Sequence, residues 1–456
     1  MRVLHPSFLA VLLALIFFLW NLSVVAGGLL DQNMGYVSDD VWYVSSARNI
    51  LREIWGVQPN ARAFGGYFYA TVLAEDYYTY RRVLDLLSSQ PGQYLLLKDH
   101  YEQLLKRGYV EALGLAVKGE MLENLRQMRG VKVYLGYPYP DHSDIIDYLN
   151  LEHPPLGKYV IALTMLISDS PLAWRLPSLL TGSALIVLAY FTARRIFGEA
   201  SGLAAALFVF TDQTVKAMSV VAMLDIYLAF FTLLALYLAV RQRPLLSALS
   251  IGVACSFKLS GLFVFPALLV SVLRKNRLKM LPAIILIPPA VYLAASTPIM
   301  AYLGGFEAWL DELIWALKWH VTARPEGPPS VDPVGLLFGL TPFPISFFPT
   351  IAASPNYLVT GLTIPLTAIF IPLALKRRIQ GVGSALAWFW SAYLCYVALY
   401  LAGNTTLYTF YAVQFTPLAS VIAGGLIHLI LHPEKALEGL KVCRAWFRLE
   451  AESPPS

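Results

Sequence analysis

Long apolar runs alternate along this chain with short polar or basic breaks. The apolar segments fall at 8–30, 172–193, 201–216, 223–240, 244–257, 259–273, 280–298, 356–375, 383–402 and 408–431. Runs of that length and composition predict membrane-spanning helices, about ten of them. Those at 201–216, 244–257 and 259–273 are short for a full crossing. Val334–Phe348 is also apolar, but Pro342, Pro344 and Pro349 make it an interfacial or re-entrant segment.

Two polar stretches interrupt the pattern for long enough to hold structure of their own. The first runs from about Asp31 to Pro171. Within it, Val41–Ile54 predicts a helix lying on the membrane, with Trp42 and Tyr43 as interfacial anchors. Residues 70–88, 94–107 and 109–129 carry helical periodicity with many charges, and Val131–Leu135 reads as a short strand. The second stretch, Ala301 to about Pro355, holds Trp309, Trp315, Trp319 and His320 before a proline-rich part. The expected organisation is therefore a first span and loop start at 1–56, a mostly helical extracytoplasmic insert at 57–150 and a core bundle at 151–300. A second outer loop at 301–355, C-terminal spans at 356–431 and a tail at 432–456 complete it.

Composition agrees with an all-α polytopic membrane protein: 57% of residues are hydrophobic and 14% charged. The first run lacks a small-residue cleavage site and reads as a retained anchor. The net charge of +5 does not point to nucleic acid. The basic residues gather in short breaks: Arg194-Arg195, Arg241 and Arg243, Arg274 to Lys279, Lys376 to Arg378, and a tail with Lys435, Lys441, Arg444 and Arg448. The positive-inside bias places these breaks and both termini in the cytoplasm. Cys255, Cys395 and Cys443 form no disulfide or metal pattern. Asn404-Thr405-Thr406 matches the N-glycosylation acceptor pattern on the outer side.

The polar residues at the outer ends of the spans carry the candidate chemistry. Asp39-Asp40 follows the first span, Arg175 opens the second, Asp212 and Lys216 close the third, Asp225 opens the fourth, and Lys258 lies between the fifth and sixth. Leu151-Glu152-His153-Pro154-Pro155-Leu156-Gly157-Lys158 is a shaped turn at the bilayer surface, because proline removes donors from the backbone. Carboxylates with an arginine and a lysine at one depth suit a substrate with an anionic head and an apolar tail. A carboxylate there can take a proton from an attacking hydroxyl. Plainer readings exist for each residue. Ser38-Asp39-Asp40, Asp212 and Asp225 suit helix caps, Arg175 and Lys258 suit snorkelling anchors, and His320 suits an interfacial position beside Trp319. Lys258 stands out, since the same bias disfavours a basic residue on the outer side.

Asn150 to Lys158, Ala173-Trp174-Arg175-Leu176-Pro177-Ser178, Ala222-Met223-Leu224-Asp225 and Lys258-Leu259-Ser260-Gly261 together resemble the protein O-mannosyltransferases. These are membrane-embedded, GT-C-type glycosyltransferases that use lipid-phosphate sugars. Trp319-His320 and Phe410 to Pro417 add to the resemblance. It implies a GT-C helical bundle with a large first outer loop. The implied reaction is one inverting displacement in which an acceptor hydroxyl attacks the anomeric carbon of a polyprenyl-phosphate sugar and lipid phosphate leaves. Asp39 would be the base and Asp40 its support. Arg175, Lys258 and Lys216 would hold the donor phosphate. His153, Pro154, Pro155, Asp225 and His320 would shape the pocket. The expected partners are the donor, a protein or glycan acceptor and membrane lipids, and no nucleic acid. No cofactor is implied, while a divalent metal on Asp39, Asp40 and His153 stays open. The chain departs from the family at Asp40, where a glutamate is usual, and at Val220, where an arginine is common. Sugar transfer to a lipid, as in aminoarabinose transferases, and a lipid-sugar flippase are the competing readings. A transporter would place its charges near mid-membrane on broken helices.

Overall fold

A computed structural model describes residues 5–30, 33–102, 108–322 and 329–451, apart from the side chains of 33 and 443–451. The tail residues Cys443, Arg444 and Arg448 thus have side chains outside the described set, and so does the end of the helix expected at 94–107. The chain is mostly helical (68%). Helix α1 (Pro6–Val24), prolonged by a π-helical turn to Leu29, leads to α2 (Asp40–Asn49), prolonged in turn to Ile54. An insert then runs β1 (Tyr67–Ala74), α3 (Tyr77–Ser89), β2 (Tyr94–Lys98), β3 (Glu111–Lys118), α4 (Gly119–Gln127) and β4 (Val131–Leu135).

The bundle begins with α5 (Leu156–Ile167) and α6 (Pro171–Phe197). It continues through α7 (Glu199–Thr211), α8 (Gln213–Ser219), α9 (Asp225–Val240) and α10 (Pro244–Phe257). A 3₁₀ stretch, Leu259–Val264, runs into α11 (Phe265–Arg274), and α12 (Leu281–Tyr302) follows. The second loop holds α13 (Phe306–Val321), α14 (Pro333–Phe338) and a hairpin of β5 (Phe343–Phe347) with β6 (Thr350–Ala353). The chain closes with α15 (Tyr357–Leu375), α16 (Val382–Leu401), α17 (Thr416–Leu431) and α18 (Pro433–Ala451).

Each of the ten apolar runs contains helix, but not each is long enough to cross. Among the described residues five helices are long and apolar enough: Pro6–Leu29, Pro171–Phe197, Leu278–Tyr302, Tyr357–Leu375 and Val382–Leu401. A sixth arises if α17 and the start of α18, bent by 108°, form one broken span. The expected count of about ten is therefore not reached by length. A helix of fourteen residues such as α10 rises only about 21 Å, against a hydrocarbon core of about 30 Å. The short helices pack against the long ones to different degrees: α9 is largely enclosed, while Leu245, Leu246 and Leu249 leave one face of α10 exposed. Leu228, Leu233 and Leu236 of α9 and Ala248 and Ile251 of α10 are fully enclosed. The run at 201–216 breaks at Asp212, which caps α8 by accepting from the Val215 N–H at 2.9 Å. Val334–Phe348 makes a short helix and the first strand of a hairpin rather than a span, as its prolines require.

The mostly helical insert expected at 57–150 needs correction. Its core is a four-stranded antiparallel sheet in the order β2-β3-β1-β4, with α3 and α4 as the connections. This is the split βαβ arrangement. Tyr67-Phe68-Tyr69-Ala70-Thr71-Val72-Leu73-Ala74 is rich in aromatic and branched residues that favour strand, but its second half is buried on both faces and so shows no period of two. Val72, Leu113, Leu115 and Val117 face α3 and α4, while Leu73 and Ala112 face the other way, against Tyr101, Tyr139, Ile145 and Ile146. That second face packs on Val41 and Trp42, so the sheet roofs α2. The expected strand at Val131–Leu135 is present as β4.

Two buried ion pairs fasten α2 to α6. Arg48 donates through Nε and Nη2 to both oxygens of Asp169, at 2.7 and 2.9 Å. Asp169 also accepts from Trp174 Nε1 at 2.8 Å and from the Tyr137 N–H at 2.9 Å, so strand β4 is joined to the same carboxylate. Asp169→Ala leaves the Arg48 guanidinium buried and unpaired, and a loss of about 3–5 kcal/mol of stability is expected. Thermal unfolding of the purified chain measures it; an unchanged midpoint would show that the pair does not hold the roof to the bundle.

Candidate active site

The turn before α5 is stitched by one lysine. Lys158 Nζ, 1% exposed, donates to the carbonyls of Leu149 at 3.2 Å, Asn150 at 2.5 Å and His153 at 2.9 Å. Asn150 sits at φ 53, which closes the loop before the two prolines. Pro155 occupies the position preceding α5. The bend fixes the His153 ring 5.6 Å from Tyr43 and 5.3 Å from His320. His320 Nε2 is 3.1 Å from the Glu152 carbonyl oxygen, which ties α13 to the turn.

These histidines stand at the polar end of a cavity of about 700 Å³. Lys258, Tyr411 and Asn404 share that end, and Leu262, Phe263, Pro288, Pro289, Leu313 and Leu317 supply apolar wall from the 259–264 stretch, α12 and α13. Lys258 Nζ pairs with Asp225 Oδ1 at 2.7 Å and lies 4.1 Å from the centre of the Tyr411 ring. Its side chain is 12% exposed and that of Asp225 1%, so Lys258 is the partner facing the open space. Pro154 also lines the cavity.

Asp39 and Asp40 have different surroundings. Asp40 is fully buried; Oδ2 takes Arg175 Nη2 and Oδ1 takes the Ala222 N–H at 2.6 Å. Burial pushes its carboxyl up, against the pull of Arg175. Asp39 precedes α2 but makes no capping bond with its side chain, so the capping reading does not hold for it. Burial raises the Tyr43 phenol well above its ordinary range, and the charges of Asp39, Asp225 and Glu152 and the Tyr411 phenol push it the same way. All four groups thus act on one hydroxyl.

The sequence-predicted residues divide accordingly. Lys258, His153, Pro154 and His320 line the cavity, Asp225 holds Lys258 from behind, and Pro155 is not part of the lining. Asp39 acts electrostatically on Tyr43, whose ring lies 5.6 Å from that of His153. Arg175 does not reach it. The guanidinium is fully enclosed, with Nη1 donating to the Pro171 carbonyl at 2.9 Å and Nη2 to that of Gly35 at 2.7 Å as well as to Asp40. It is neither a snorkelling anchor nor placed to grip a phosphate. Lys216 lies elsewhere, 5.8 Å from the Trp20 ring and 5.9 Å from that of Phe210. Tyr43, expected at the membrane interface, is buried instead, because it packs into the core of the bundle while Val41 and Trp42 meet the sheet. The Asn404 side chain is also 3% exposed, donating to the His320 carbonyl at 2.6 Å and accepting from the Thr406 N–H at 3.1 Å. An enclosed amide in those bonds is no glycan acceptor. Among the described residues no three His, Cys, Asp or Glu side chains gather as a metal site, and Asp40 is already held by Arg175 and Ala222.

Sequence reasoning missed Tyr43, Glu152 and Asn404. The aromatic at Tyr411 was signalled by the Phe410–Pro417 motif, though not its place beside Lys258.

The apolar spans and the enclosed charge pairs define an integral membrane protein whose polar site opens on a greasy cavity. Residues 152–302 match the family described as dolichyl-phosphate-mannose-protein mannosyltransferase, in line with the resemblance carried by the sequence motifs. That segment is about a third of the chain and contains His153, Arg175, Asp225 and Lys258. No curated protein matches. Among solved structures, ArnT from Cupriavidus metallidurans bound to undecaprenyl phosphate is 18% identical, with 65% of this chain and 54% of that one covered and a TM-score of 0.42. The apo oligosaccharyltransferase of Archaeoglobus fulgidus is 14% identical over 90% of this chain and 54% of its own, at a TM-score of 0.40. The same organism's oligosaccharyltransferase AglB, in complex with an inhibitory peptide and a dolichol-phosphate, gives 13%, 90%, 54% and 0.36. The chain spans about half the length of these structures. At such scores they carry no argument about the site.

The different placements of the two cations are testable. Arg175→Met strands Asp40 in the interior and should cost about 3–5 kcal/mol of stability. Lys258→Met, at the cavity wall, should move the unfolding midpoint far less. Equal midpoint shifts for the two variants would contradict this division.

Proposed function

We propose that the chain is an inverting glycosyltransferase that moves a sugar from a polyprenyl or dolichyl phosphate to a hydroxyl of a protein or glycan on the outer face of the membrane. The family match of residues 152–302 favours mannose as that sugar. The observation that carries the reading is the cavity itself: an apolar chamber of about 700 Å³ with Lys258, His153 and His320 at one end. A polyprenyl tail fits the apolar wall, and a phosphate fits the cationic end. An ammonium has three donors and acts on phosphate as a point charge. Asp225 accepts one of them and keeps the group in place.

In the proposed step the acceptor oxygen attacks the anomeric carbon as the bond from that carbon to the phosphate oxygen breaks. Asp39 takes the hydroxyl proton. Lys258 stabilises the charge that grows on the departing lipid phosphate, in a space where few waters compete with it. One displacement inverts the anomeric centre. The donor is already activated, so no nucleotide is required. Arg175 and Asp40 act from behind, as the pair that holds α2 where Asp39 can work.

The outer placement is supported by charge distribution. Arg194-Arg195 end α6, Arg241 follows α9, Arg274 ends α11 and Lys376 follows α15. These basic ends suit the cytoplasmic side. Lys258, at the opposite end of the 259–274 segment from Arg274, then faces outward.

Purified protein incubated with lipid-phosphate mannose and a hydroxyl-bearing peptide should yield a mannosylated peptide by mass spectrometry. Asp39→Asn should lower turnover by about 10²–10⁴-fold, with donor affinity within about twofold of the parent. Retained turnover would place the base elsewhere. Sugar found on a lipid acceptor would favour the aminoarabinose-type reading, and transbilayer movement of donor without product the flippase.

A further inference from the structure

A second large cavity lies at the other end of the bundle. Gly383 and Ser384, at the start of α16, line it, whereas Tyr396 and Leu399 near the end of that helix line the first one. Gly383 and Leu399 are about 24 Å apart along the helix. The second cavity measures about 910 Å³, and its polar wall carries Arg274, Lys275, Arg277 and Arg377. Three chain turns build it. Gln242 after α9, Asn276 after α11 and Arg377 after α15 each take a left-handed conformation, at φ 63, 51 and 54. Arg277 Nη1 joins two of these turns by donating to the Gln242 carbonyl at 3.2 Å.

The four cations are not neutralised. Among the described residues none of them forms a salt bridge with a carboxylate, while their neighbours do. Lys376 and Arg378 both pair with Glu438 of α18, at 3.7 and 3.1 Å, and Arg377 between them lines the cavity. The ends of α9, α11 and α15 contribute partial negative charge, about half a unit each. Four full positive charges exceed that sum. Burial, and after it the neighbouring Arg277, lowers the pKa of Lys275. A positive-inside signal requires only that basic residues lie on one side. Here they converge on one concave space with an apolar strip at Val270, Leu375 and Ala387.

We propose that this cavity binds a phosphate-bearing headgroup, held by Arg274 and Arg377 with Lys275 and Arg277 in support. Arginine suits that role because its planar fork meets phosphate oxygens two at a time. The ligand is the phosphate group, carried by a lipid of the facing leaflet or free in solution. This site is separate from the outer cavity and stands whether or not the glycosyl-transfer reading holds.

The test uses the full chain in neutral micelles. Short-chain phosphatidic acid, the phosphatidylcholine of equal chain length and inorganic phosphate are titrated, with native mass spectrometry as the readout. Phosphatidic acid should bind saturably at least tenfold more tightly than phosphatidylcholine. R274Q/R377Q should remove that preference, and K376Q/R378Q, which alters cations already paired, should keep it within twofold. Competition by inorganic phosphate at comparable concentration would identify a free phosphate as the ligand, and its failure a lipid headgroup; either supports the site. Equal binding of the two lipids by the parent protein overturns the proposal without recourse to any variant. So does a preference that R274Q/R377Q retains or that both variants lose equally. If the double variant does not fold, R377Q alone, in an exposed turn, takes its place.

Discussion

Charge buried in apolar surroundings needs a partner of opposite sign, and two such pairs fix where α2 sits. Arg48 with Asp169 and Asp40 with Arg175 are almost wholly enclosed, and both join α2 to α6 or to the residue pair preceding it. Removing one partner leaves an unpaired charge, which costs far more than the pair contributes over a hydrophobic substitute. Helix α2 therefore has one position against the bundle. Successive residues on a helix are turned by about 100°, so fixing Asp40 against α6 aims its neighbour Asp39 elsewhere. The same carboxylate of Asp169 accepts from the Tyr137 backbone just beyond β4, so the insert is bound to this core and not tethered by loops alone.

Much of the bundle was legible in the sequence because lipid leaves the chain few choices. Apolar runs must be helical, and the ten runs are. Their lengths misled where a helix is largely enclosed by protein, since α9 need not match the thickness of a bilayer. The insert was misread for a related reason. Its α3 and α4 carry charged outer faces at helical spacing, while β1 and β3, buried on both faces, show only an apolar run without alternation. Periodicity alone does not separate a buried strand from a helix of equal length.

The candidate site was legible as a set and not as individual roles. The turn at His153–Lys158 announced itself by two prolines beside charged residues, and it does shape the cavity. Arg175 and Lys258 carry the same expected role in the sequence, each a lone cation at the end of an apolar run that would hold the donor phosphate. Their difference lies in partners distant along the chain: the Gly35 carbonyl and Asp40 for one, Asp225 and Tyr411 for the other. Asn404 likewise looked like a surface acceptor until the His320 carbonyl supplied a reason for burying its amide. Long-range pairing of this kind leaves no local pattern to read.

The degree to which each cation is neutralised orders the whole molecule. Arg175 has a carboxylate and two carbonyls and faces no open space, so it is structure. Lys258 has one carboxylate and an aromatic face beside an apolar chamber, so a ligand with an anionic head gains from it without having to displace a complete shell. Arg274 and Arg377 have no carboxylate among the described residues and share a concave polar space. Carboxylate-paired charge in the interior, a lysine with one carboxylate at one end and, among the described residues, arginines with none at the other is the arrangement expected if the fold is fixed first and each cavity is completed by what it binds. Under the proposed function, pairing Lys258 more fully would make the bundle more self-sufficient and its cavity less able to hold phosphate, so the single acidic partner at Asp225 suits the site.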